Sequence, residues 1–156
     1  MEIIRRHSDY GIRALAYLAT SGKAMAPCGE IARACGISKG FAYKILQRLA
    51  SAGLVTSRSG RVGGFRLCKS LDAITLYDVV SLMQGPVEVS KCVVDPRACK
   101  RGQVCGLSPK WRKLQDNIVG FLKSTSLQSL LSPPKSVAGR TSRSNRKKTS
   151  RQGKRR

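Results

Sequence analysis

A mainly helical chain with one small β-hairpin is what this sequence predicts, and three observations predict it. Apolar residues recur at helical spacing in most of the first 131 positions. Polar caps and glycine stops divide those stretches into separate helices. A single glycine-rich run, Arg58-Ser59-Gly60-Arg61-Val62-Gly63-Gly64, separates two short extended runs.

Taken in order, Ile12, Leu15, Ala16, Leu18 and Ala19 form one apolar face, with Ser8 or Asp9 as the natural cap and Gly22 as the stop. A short helix over about Gly29 to Cys35 buries Ile31, Ala32 and Ala34. Gly36 ends it. Ser38 caps the next helix, which runs to about Ala52 with Phe41, Ala42, Ile45, Leu46 and Leu49 inside and Gly53 after it. Leu54 to Ser57 and Phe65 to Cys68 are the two strands. Thr75 caps a helix carrying Leu76, Val79, Val80 and Met83, closed by Gly85-Pro86. A cysteine-bearing loop follows. Ser108-Pro109 then supplies a cap and first-turn proline for a long helix. Its apolar positions, Trp111, Leu114, Ile118, Phe121 and Leu122, approach a coiled-coil stripe. Leu127, Leu130 and Leu131 make a last short turn, and Pro133-Pro134 stops any helix.

These elements divide the chain into a first domain over residues 1–85, a cysteine loop over 86–107, a long helix over 108–132 and a tail over 133–156. Thirty Lys and Arg against eight Asp and Glu leave a formal charge of +22 on 156 residues. An acidic partner follows, and nucleic acid is the commonest. The tail holds ten of the basic residues, no acidic residue and almost nothing apolar, so it is read as disordered. No run approaches the ~20 apolar residues that cross a bilayer. Asp9 and Arg13 interrupt the apolar start, which argues against export and for a cytoplasmic protein, held at the nucleoid when bound. No phosphate-binding glycine loop, activated nucleophile or paired-carboxylate site is present, so an enzyme is not expected.

Helix, short helix, glycine turn, capped helix and glycine-rich hairpin make a winged helix-turn-helix. Its second helix would lie in the major groove of double-stranded DNA, about 12 Å wide. The outward candidates there are Ser38, Lys39, Gly40, Tyr43, Lys44 and Arg48. In the wing they are Arg58, Arg61 and Arg66. The plainer reading is a solvated basic helix face. Aromatics are too few, at 5%, for single-strand recognition by stacking.

Six cysteines in a cytoplasmic chain point to metal or redox chemistry before disulfides. Cys92, Cys99 and Cys105 stand in a polar loop, spaced Cys-x6-Cys-x5-Cys and flanked by Lys91, Lys100 and Arg101. Thiolates are soft ligands for iron–sulfur clusters and zinc, and nearby positive charge favours the thiolate. A bare thiol switch is the alternative. Cys28, Cys35 and Cys68 read instead as small buried hydrophobes, the last at an inward wing position.

From about Met1 to Leu131 the chain resembles the IscR/NsrR family of bacterial winged-helix transcription regulators. The resemblance rests on SDYGIRALAYLA, EIARACGISKGFAYKILQRLASAGLV, GRVGGFRL and AITLYDVVSLMQGP, followed by the three spaced cysteines. It implies a homodimer joined through the helix at about Ser108 to Lys123, two reading helices on a pseudo-palindromic operator, and an iron–sulfur cluster on Cys92, Cys99 and Cys105. IscR-like members carry a histidine three residues after the last cysteine, where this chain has Ser108. That turns the expectation from 2Fe–2S toward 4Fe–4S. NsrR-like members use an aspartate near the partner's first helix, and Asp9 falls at the matching place. Asp9 also reads as a carboxylate favoured by its helix dipole, and His7 is a weaker ligand candidate. Tyr43-Lys44 and Ser59 depart from the IscR pattern, where a Glu-Gln pair and an arginine are common, so no operator sequence carries over. The expected function is a cluster-sensing repressor. A cluster-free thiol-responsive regulator and a basic non-specific nucleic-acid-binding protein are the alternatives.

Overall fold

The computed structural model describes residues 3–60, 62–99 and 105–131. Three helices open the chain: α1 (Arg6–Thr20), α2 (Cys28–Cys35) and α3 (Lys39–Ser51). The antiparallel hairpin follows, β1 (Val55–Arg58) with β2 (Gly64–Leu67). Then come α4 (Leu76–Gln84), α5 (Lys91–Val94), α6 (Ser108–Ser124) and α7 (Gln128–Leu131). The predicted winged helix-turn-helix is present, and no described helix is long and apolar enough to cross a membrane.

One apolar core joins these elements. Leu15 of α1, Ile31 of α2, Leu46 and Leu49 of α3, Val55 of β1 and Val79 and Val80 of α4 are all buried in it. Each such side chain contributes roughly 1.5–3 kcal/mol on burial. α1 crosses α4 at Gly11, where a Cβ would lie 3.3 Å from Met83 Cγ and Val79 Cγ1. Glycine therefore sets how closely the two helices approach. The hairpin pairs Val55 with Leu67 and Arg58 with Gly64. It is docked by Ala26, whose N–H donates to Phe65 O and whose carbonyl accepts from Phe65 N, both at 2.9 Å.

Several local expectations are corrected. Ser8 does not cap α1, which begins at Arg6 behind Arg5. Ser8 lies within the first turn, fully buried, and its hydroxyl donates to Gln84 Oε1 at 2.8 Å. A buried hydroxyl needs a partner, and α4 provides it. Ser108 is the first residue of α6 and not its cap, because Leu107 already has helical backbone angles. Pro109 does sit in the first turn. Ala34 is exposed, and Cys35 is buried in its place. Cys68 is exposed beyond the end of β2. With Phe65 inward, the two-residue period of a strand puts position 68 on the face of Arg66. The cysteine loop also carries α5 and a 3₁₀ turn at Pro96–Ala98, where a plain loop is expected. Thr75 caps α4 as expected, in a full capping box with Asp78. The basic tail and Arg61 lie outside the described residues.

Glu30 ties α2 back to α1 and the loop after it. Its Oε1 accepts from Tyr17 Oη and from Lys23 Nζ, the latter at 2.7 Å. The Lys23 bond, then the Tyr17 bond, hold its carboxyl below the usual carboxylate range. A lowered folded-state pKa adds stability above the unfolded value, near about 4.3, and loses it as pH falls. Between about pH 5 and pH 3 the urea midpoint of the wild type should therefore fall further than that of Glu30→Gln. Equal falls would remove Glu30 from the acid response. Gly64→Ala addresses the wing. Its Cβ would sit 2.4 Å from the Ala26 carbonyl oxygen, a backbone atom that cannot step aside cheaply. A loss of about 1–3 kcal/mol is expected in chemical denaturation, with faster amide exchange at Phe65. Unchanged exchange there would contradict the docking role of the Ala26 bridge.

Candidate nucleic-acid interface and cysteine loop

The turn between α2 and α3 is set by Gly36, whose φ of 68° is left-handed. Ile37 N then donates back to Ala32 O at 3.0 Å, and Ser38 Oγ accepts from Phe41 N at 3.3 Å. The capped helix α3 buries Ala42, Ile45, Leu46 and Leu49. Lys39, Gly40, Tyr43, Lys44 and Arg48 are left on its outer face.

That outer face has two flanks. Toward the wing, Lys39, Tyr43 and Gln47 line one cleft with Pro27, Ser57 and Arg58. Tyr43 is 52% exposed and stands edge-on to Phe65, ring centres 6.4 Å apart. The structure thus brings three of the candidates, Lys39, Tyr43 and Arg58, to one cleft. Gln47 was missed, although it lies one turn beyond Tyr43 and that spacing could have found it. Toward α1 and α4, Lys44 and Arg48 share a separate hollow with His7. Arg48 is not simply a free contact there, because its Nη1 donates to Met83 O at 2.8 Å. Arg66 is exposed on β2.

The cysteines are all free thiols. Cys35 is buried and Cys28 half-buried, and burial pushes both thiols up; at Cys28 the nearby Lys39 opposes this. Cys92 lies on α5, Cys99 follows the 3₁₀ turn and Cys105 precedes α6. All three are half-buried, and Cys92 Sγ lies 3.3 Å from Ser90 Oγ. In kind and accessibility this donor set fits a thiolate-held iron–sulfur cluster. Among the described residues, no three His, Cys, Asp or Glu side chains converge into a metal site. Asp9 lies in the first turn of α1, paired with Arg13 at 2.9 Å.

Gln115 of α6 anchors the chain that leads into this loop. Its Oε1 accepts from Val89 N at 2.8 Å and its Nε2 donates to Val87 O. No sequence signal marked this residue. The rest of α6 is lightly packed, with Trp111, Leu114 and Phe121 exposed, Ile118 half-buried and only Leu122 of the expected stripe turned into the core; Leu107, just before the helix, is also exposed. Leu107, Trp111, Leu114, Ile118 and Phe121 are spaced 4, 3, 4 and 3, a heptad stripe facing outward.

Comparison with known proteins agrees with this fold. Residues 4–133 match the Rrf2 family model, described as an iron-dependent transcriptional regulator. The chain is 34% identical over 129 residues to protein aau3 of Rhizobium meliloti, covering 82% of this chain and 84% of that one. It is 34% identical over 116 residues to the HTH-type transcriptional regulator IscR of Photorhabdus laumondii, covering 73% and 70%. Among solved structures, CymR, the global cysteine regulator of B. subtilis, superposes with a TM-score of 0.67 at 28% identity, covering 83% of this chain and 96% of that one. The chain belongs to the Rrf2 family, and it is a DNA-binding transcriptional regulator.

Proposed function

We propose that this regulator is a homodimeric repressor that binds a two-fold operator and senses redox, nitric oxide or iron status through an iron–sulfur cluster on its cysteine loop. One observation carries the reading. The three loop cysteines hang between α4 and α6, on a segment that Gln115 fastens to the helix bearing the unpartnered heptad stripe. Sensor loop and dimer seam therefore move as neighbours.

Cys92, Cys99 and Cys105 would hold the cluster, with Asp9 of the partner subunit as the fourth donor and 4Fe–4S the favoured form. A bound cluster supplies a centre that oxidants and nitric oxide attack. The chain's own residues do the rest. Gln115 holds Val87 and Val89 against α6. Arg48 holds α3 against the last turn of α4. A change in the loop thus reaches the reading helix through a short run of hydrogen-bonded backbone, and it biases two DNA-binding geometries. Lys39, Tyr43, Arg58 and the Ser38-capped start of α3 read the groove, and Arg61 adds positive charge. The tail, Pro133 to Arg156, adds salt-dependent affinity. The protein works in the cytoplasm, where bacterial DNA lies.

A second reading has its own support. No three ligands converge among the described residues, and the CymR likeness fits a cluster-free, thiol-responsive regulator. Iron and sulfide analysis separates the two.

Two outcomes are expected. Cys92→Ala, Cys99→Ala and Cys105→Ala should each give a folded dimer whose operator binding no longer responds to nitric oxide or peroxide. A wild-type response in all three, read by fluorescence anisotropy, would end the cysteine-loop reading. Phe121 is 65% exposed at the C-terminal end of the stripe. Loss of a buried interface aromatic costs about 2 kcal/mol or more, so Phe121→Asp should weaken dimerisation by about 30-fold or more. Sedimentation showing an unchanged dimer would place the interface elsewhere.

A further inference from the structure

The hollow on the α1 and α4 side of α3 is the strongest unassigned feature of the molecule. It encloses about 210 Å³ between His7, Phe41, Lys44, Ile45, Arg48 and Met83. Its floor is apolar: Ile45 and Met83 are buried, and the His7 ring stands edge-on to Phe41 at 5.1 Å. Its polar side chains are Lys44, Arg48 and His7, and no carboxylate lines it. Arg48 is held in place by Met83 O through one of its five N–H donors, which leaves the rest for a ligand.

The hollow's position says which anion it meets. A helix with its side chains is about 10–12 Å across, close to the width of the major groove. A helix lying there has one backbone wall on each flank. The wing flank of α3 carries Lys39, Tyr43, Gln47 and Arg58. The opposite flank carries this hollow. We propose that the hollow seats one backbone phosphate of the operator, held by Lys44, Arg48 and His7, and fixes the register of α3 without reading bases. This rests on α3 being the helix that enters the groove. It also divides the basic face, with the wing flank reading sequence and the hollow positioning the helix.

The test uses the full-length protein, a duplex selected against it in vitro and a scrambled duplex of the same length. Lys44→Gln should weaken binding to both duplexes by the same factor. It should also reduce the salt slope by about 0.9 per subunit, as one lost phosphate contact requires. His7→Phe keeps the edge contact with Phe41 but removes the ring N–H groups, and it should weaken both duplexes equally. Gln47→Ala should instead relax the preference between them. His7 is the only histidine, so its imidazole resonance reports the site directly at fixed pH. It should shift with stoichiometric duplex and not with the same amount of inorganic phosphate. A changed sequence preference in Lys44→Gln would make Lys44 a base contact and overturn the proposal. So would an unchanged salt slope, or a resonance that answers to inorganic phosphate alone. The underlying placement of α3 fails separately, if Lys39→Gln, Tyr43→Ala and Gln47→Ala all leave operator binding intact.

Discussion

The last turn of α4 is the joint on which the DNA-facing surface depends. Three attachments meet there. Gln84 accepts from Arg5 N and Ser8 Oγ and donates to Ile3 O, which fastens the start of the chain. Met83 O receives Arg48 of the reading helix. Gly11 lets α1 lie close over Val79 and Met83. The fully buried Ser8 hydroxyl shows how tight this joint is, since an unpaired hydroxyl there would cost about 1–3 kcal/mol. The chain leaves the joint through Gly85-Pro86 and enters the segment that Gln115 clasps. The α3 helix, the chain start and the cysteine loop are thus separated by very few connections.

This arrangement links a loop with little core of its own to α3 by way of α4. α5 has no buried residue, and among the described residues α6 buries only Ser108 and Leu122. Elements so lightly packed open more readily than a dense core does. The core beneath α1 to α4 is dense and apolar by contrast, and gives the reading helix a firm base. The apolar packing is therefore carried mainly by α1 to α4 and the hairpin, not by the cysteine loop.

Much of this was legible in the sequence because the signals are local. Ser38, Gly36 and the 3.6-residue period of α3 specify the helix and its outward face without tertiary information. The hairpin glycines do the same for the wing. Failures came where a side chain's role depends on a distant partner. Ser8 looks like a cap until Gln84, 76 residues away, takes its hydroxyl. Arg48 reads as an outward cation, and only the fold shows that Met83 O also holds it. Gln115 carries no sequence mark, because an amide within an apolar stripe is informative only once Val87 and Val89 lie beside it. The resemblance of the chain's motifs to IscR and NsrR regulators anticipated the family correctly. It also supplied Asp9 as a ligand; in the structure Asp9 is paired with Arg13.

The claim that the loop cysteines form an iron–sulfur sensor is met most directly by purifying the full chain without oxygen and assaying iron and acid-labile sulfide on the same sample. The account predicts both in stoichiometric amounts, with visible absorption that disappears when the three loop cysteines are replaced together. A colourless protein, free of iron and sulfide even after attempted cluster reconstitution, would contradict it and leave the thiol-responsive regulator standing.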